Sequence, residues 1–138
     1  MIAAMSALRT WFDGRWLAVA MAALVVLLAL THIPQEMMPK ALDAHLLDKV
    51  EHVVAYGVVA FLFLLSFRRP LGVTGVVVFL LVAALVGGLD EMTQPWVNRT
   101  ASGLDFVADM IGVVVAYVIF LAMRLCRRER VLHSVTPS

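Results

Sequence analysis

Residues 71–89, LGVTGVVVFLLVAALVGGL, run for 19 positions without one ionisable side chain. As an α-helix, at 1.5 Å per residue, the stretch is about 28 Å long, close to the roughly 30 Å hydrocarbon core of a bilayer. Lipid offers no hydrogen-bond partner to a backbone, so a segment crossing it must satisfy its own N–H and C=O groups. A helix does this within one segment; an open strand does not. The apolar–polar alternation of a barrel strand is absent, so the stretch reads as a transmembrane helix.

Three more apolar runs of spanning length lie around it. Trp16 to Ile33 is closed by Pro34, Val50 to Phe67 by Arg68, Arg69 and Pro70, and the last runs from Leu104 to Cys126. Of the 138 residues, 62% are hydrophobic and 15% charged, with a mean hydropathy of +0.93. Soluble domains carry about 45–50% apolar and roughly 25% charged residues, and a chain this short has too little interior to hide the excess. The expected fold is all-α: one integral membrane domain over 1–138, a bundle of four transmembrane helices at about 16–33, 50–67, 71–89 and 104–126, with a loose tail at 131–138. The first run follows Arg9 and Arg15, as a signal peptide would. Its exit, Ala29-Leu30-Thr31-His32-Ile33-Pro34, lacks the small-x-small cleavage pattern, so it is read as a retained helix.

Charge gives the orientation. Arg9 and Arg15 precede the first helix, Arg68 and Arg69 separate the second from the third, and Arg124, Arg127, Arg128 and Arg130 follow the fourth; only Lys40, Lys49 and Arg99 lie on the other side. The basic side is expected to be cytoplasmic, which puts both termini there. Reporter fusions after Val131 and after Pro95 should therefore report opposite sides, the first cytoplasmic and the second external. An external C-terminus would refute this topology. The net charge of +1 gives no basic bulk for nucleic acid, and the single cysteine, Cys126, excludes an internal disulfide or a thiolate metal cage.

Eight of the ten acids fall on the outer side: Glu36, Asp43, Asp48, Glu51, Asp90, Glu91, Asp105 and Asp109. Their spacing is helical. Asp48, His52 and Tyr56 (i, i+4, i+8) share one face of the second helix; Asp90 and Gln94, with Glu91 beside them, end the third; Asp105, Asp109 and Gly112 share a face of the fourth. A charge at the centre of a lipid-facing helix costs about 2.5–3.5 kcal/mol on insertion scales, so the three faces are expected to meet around a polar pocket at the outer end. Arg99, the only arginine on that side, is placed to bind carboxylates or a ligand anion through its planar fork. Ala108, Gly112 and Ala116, and Ala83 and Gly87, repeat at four-residue spacing, as residues at close helix crossings do. The first helix, polar only at Thr31 and His32, is expected to be peripheral. His32 and His45 are read as interfacial or solvated, and Trp11, Trp16 and Trp96 as interfacial anchors.

These residues resemble those of the VanZ-like membrane proteins. Asp48-Lys49-x-x-His52-x-x-x-Tyr56 is similar to the family's D-K-x-x-H-x-x-x-Y, and Asp90-Glu91-x-x-Gln94 to its D-E-x-x-Q. Arg99, then Asp105, Asp109 and Gly112, resemble its arginine loop and D-x-x-x-[N/D]-x-x-G. The resemblance covers about Asp48 to Ala116. Val53 stands where an aromatic is common, and Asp109 where asparagine is frequent; a hydrogen-bonding role suits both residue types better than an obligatory carboxylate one. The resemblance implies a multi-pass protein of the bacterial inner (cytoplasmic) membrane with an envelope role, and a link to glycopeptide resistance, the family being named for a teicoplanin-resistance protein. It supplies no reaction.

Four readings of the polar cluster stay open. It is a network that fixes helix register; a site for a membrane lipid or lipid-linked envelope precursor, Arg99 and Lys49 meeting phosphate; a divalent metal site built from His52, Asp48, Asp90, Glu91 or Asp109; or a general acid–base site. Enzyme or not stays open with them, and no cofactor is assigned. A small proton-coupled transporter is a further alternative, although the first helix lacks the embedded acid such exporters place there.

Overall fold

The computed structural model of the chain describes residues 11–34, 37 and 44–135, with the side chains of 44–46 and 128–135 outside the description. Arg9, Glu36, Lys40 and Asp43, the side chains of His45, Arg128 and Arg130, and residues 136–138 therefore lie outside the description. Four long helices follow one another: α1 (Gly14–Thr31), α2 (Ala44–Ser66), α3 (Val73–Thr93) and α4 (Gly103–Val135), with a 3₁₀ turn (Gln94–Val97) after α3. All four are long and apolar enough to cross a membrane.

The ends have local causes. Asp13 caps α1, its carboxylate accepting the Arg15 N–H at 3.0 Å. Pro70 and Gly72 stop α2 from continuing into α3. Three bounds differ most from expectation. Because α2 starts at Ala44, the whole Asp48–Tyr56 motif is helical, and because α3 runs to Thr93, Asp90 and Glu91 lie inside it. The fourth helix runs on to Val135, past the expected end at Cys126, there being no glycine or proline between Cys126 and Pro137.

The largest helix–helix contact joins α2 and α4. They cross at glycine on both sides. A Cβ on Gly57 would stand 3.2 Å from the Gly112 carbonyl oxygen, and one on Gly112 would overlap the Val53 carbonyl oxygen. Ala108 and Ala116, one turn to either side of Gly112, are buried, while Ala83 packs on the core from α3. The core itself is small: Leu27, Tyr56, Val59, Ala60, Val113 and Ala116. Most other large apolar side chains face outward, among them Val77, Leu81 and Leu85 of α3. In water such a surface would aggregate; in a bilayer it is the solvated face.

The two ends of the bundle carry opposite chemistry. At one end an antiparallel bridge ties Phe12 to Phe67, with Asp13 N–H on the Ser66 carbonyl (2.7 Å) and Arg68 N–H on that of Trp11 (2.9 Å). Arg69 lies over the Trp11 ring, and Arg124 donates to the Phe67 carbonyl. At the other end, α2, α3 and α4 bring their acids together.

Candidate functional site

The helical spacing of the motif residues translates directly into a buried network. On α2, His52 and Tyr56 point inward one turn apart, their rings 6.3 Å between centroids and only 9° from parallel. His52 Nδ1 meets Asp109 Oδ1 of α4 at 2.8 Å, and the Tyr56 hydroxyl donates to Asp90 Oδ2 of α3 at 2.9 Å. One turn nearer the end, Lys49 pairs with Asp105 of α4 at 3.1 Å. Glu91 accepts the Ser102 N–H (2.8 Å) and the Gln94 side-chain amide (3.3 Å).

Arg99 reaches over this assembly because of a backbone feature. Asn98 takes the left-handed conformation, φ 58°, which asparagine tolerates better than most residues. The turn it makes after the 3₁₀ segment brings the Arg99 N–H onto the Gln94 carbonyl. The guanidinium then donates to Asp48 Oδ1 at 3.3 Å and to the Thr31 carbonyl at 3.0 Å. Arg99 thus holds one carboxylate and one backbone carbonyl, instead of two carboxylates.

All ten residues singled out for the pocket, Asp48, Lys49, His52, Tyr56, Asp90, Glu91, Gln94, Arg99, Asp105 and Asp109, lie in this assembly. Asp90, Glu91, Gln94, Asp105, Asp109 and His52 are buried, Asp109 completely. Removing several charges from water is costly unless each finds partners, and nearly all do. The exception is Asp109 Oδ2, buried with no hydrogen-bond partner.

The expectation that α1 is peripheral is corrected. The Thr31 hydroxyl donates to Asp90 Oδ1 at 2.7 Å, and His32 pairs with Thr93 at 2.9 Å while Nδ1 holds the Leu28 carbonyl. His32 is therefore tied into the site, not simply solvated. The signal was visible, since Thr31 and His32 are the only polar residues of the apolar run, but their place at the helix end fits an interface equally well. Gly57 was also missed: it lies among valines, and its role depends on what α4 puts opposite it. Ser102 holds the start of α4 through its carbonyl and Glu91 through its N–H.

Among the described residues, two trios could hold a metal ion: His52, Glu91 and Asp109, and Asp48, His52 and Asp105, each with donor atoms within 4.8 Å of one another. Asp90, expected among the ligands, belongs to neither; its two oxygens accept the Thr31 and Tyr56 hydroxyls. Glu91, one residue on and turned by about 100° around the helix, takes its place toward α4, and Asp109 completes the set.

Fold and site together define a multi-pass α-helical membrane protein with a buried acidic and histidine cluster at one end. No family model, curated protein or solved structure matches the chain.

Proposed function

We propose that the chain is a VanZ-like integral protein of the bacterial cytoplasmic membrane that binds a lipid or lipid-linked envelope molecule from the outer leaflet. The observation that carries this reading is a cleft of about 520 Å³ between α1 and α2. Its walls are Leu27, Leu30 and Ile33 on one side and Val50, Val54 and Ala55 on the other; its polar end is formed by Arg99, Asp48, His52 and Tyr56. An acyl chain suits the walls, and the Arg99 fork suits a headgroup phosphate. The volume lies in the roughly 300–1,000 Å³ range of small-molecule sites. The cleft opens on a surface already solvated by lipid, so a ligand enters it sideways without crossing water. The basic opposite end supports placing the cleft in the outer leaflet, and the motif resemblance, which spans the same residues, supports an envelope role.

Native mass spectrometry of the detergent-purified chain with added phosphatidylglycerol tests this. The wild type should retain the lipid. Ala55→Trp, which fills the cleft, and Arg99→Ala, which removes the phosphate ligand, should each weaken retention about tenfold, or about 1.4 kcal/mol. If Ala55→Trp, folded by circular dichroism, retains lipid as the wild type does, the lipid reading is wrong. A second reading, a metal-dependent hydrolase or transferase acting on the same molecule, draws on the two candidate metal trios.

A further inference from the structure

Among the described residues, the acids of the outer-end cluster outnumber the Lys and Arg side chains that reach them. Of the five carboxylates in this cluster, Asp48 is taken by Arg99 and Asp105 by Lys49. Asp90 is held by two hydroxyls, with His32 3.5 Å away. Glu91 has only an N–H and an amide as partners, and Asp109 has only His52. The shortfall in positive charge is therefore concentrated where burial is deepest.

Asp109 Oδ2 marks the place. It is fully buried and unpartnered, and it is turned toward α3 at Gly87, where an added Cβ would stand 3.4 Å from it. Gly87, Asp90 and Glu91 (i, i+3, i+4) share one face of α3, so this free oxygen faces the side of α3 that carries the cluster's acids. His52, Glu91 and Asp109 each offer one donor atom within 4.8 Å of those of the other two.

We propose that His52, Glu91 and Asp109 bind a divalent metal ion. One imidazole and two carboxylates suit Zn²⁺ or Mn²⁺, and three protein ligands leave coordination positions open. The neighbouring trio of Asp48, His52 and Asp105 is the poorer site, because Arg99 and Lys49 already neutralise its acids. Gln94 and the Ser102 N–H act behind Glu91, fixing its carboxylate as outer-shell partners do. The inference shares His52 with the lipid reading but uses neither Arg99 nor the apolar walls, so the two are separable by experiment.

The full chain in detergent, stripped with EDTA and dialysed against Zn²⁺ or Mn²⁺, should take up one of these metals stoichiometrically by elemental analysis and melt at a higher temperature. Asp109→Asn, nearly isosteric, and Glu91→Gln should each weaken uptake about tenfold or more, while Asp48→Asn should bind as the wild type does. Circular dichroism and size exclusion establish that each variant is folded, and Glu91→Gln decides the matter if Asp109→Asn is not. Substoichiometric uptake of both metals by the wild type overturns the proposal. So does full uptake by a folded Glu91→Gln variant, or loss in Asp48→Asn alone, which would put the ion on the other trio. Arg99→Ala should lose lipid and keep metal, so the two proposals fail separately.

Discussion

Gly112→Val is expected to unfold the bundle. A Cβ at this position overlaps the Val53 carbonyl oxygen and stands 2.9 Å from the Gly57 nitrogen. Both neighbours are backbone, so no side chain can swing aside; α2 and α4 have to separate. These two helices make the largest contact in the protein, and the Lys49–Asp105 and His52–Asp109 pairs both span them. The loss should exceed about 4 kcal/mol, the range reserved for severe core damage, and should appear in SDS titration as loss of cooperative unfolding. Gly112→Ala should already be strongly destabilising. Gly88→Ala is the control: nothing lies within 4 Å of its added Cβ, and it should unfold like the wild type. If Gly112→Val did the same, the α2–α4 crossing would be misplaced.

The second large effect is non-additive. His52→Leu leaves Asp109 completely buried with neither oxygen partnered, and breaking a buried pair from one side costs about 3–5 kcal/mol. Asp109→Val strands the imidazole in the same way, at a lower cost if His52 stays neutral. Replacing both, His52→Leu with Asp109→Val, removes polar atoms from both helices and should recover most of the loss, as apolar replacements of buried ion pairs often do. The four proteins, compared in EDTA so that no metal contributes, form a double-mutant cycle. A double variant as unstable as the sum of the singles would mean the two residues do not depend on each other.

How much of this was legible in the sequence depends on the range of the interaction. The four spans were readable because lipid solvation acts on composition over about 20 residues. The inward faces were readable because i, i+4 spacing fixes which side chains align on a helix whatever it packs against. The pairing itself was not. Nothing within the Asp48-Lys49-x-x-His52 segment says that Lys49 takes Asp105 while Asp48 takes Arg99; those partners are more than 50 residues away, and the choice follows from helix rotation and from the left-handed turn at Asn98. The metal trio shows the same limit. Asp90 and Glu91 are adjacent in sequence and chemically alike, yet one meets hydroxyls from α1 and α2 and the other meets α4. Helix ends were misjudged where hydrophobicity was used as the ruler, since a helix that enters a polar cluster continues past its last apolar residue.

The contacts of α4 also bear on biogenesis. Three of its groups, Asp105, Asp109 and the Ser102 N–H just before it, supply partners to Lys49, His52 and Glu91. Until the final span has left the ribosome and entered the bilayer, the first three spans hold those polar groups without their mates. The nascent chain at that stage carries three polar side chains whose partners have not yet been made. Arrival of the last span supplies all three at once.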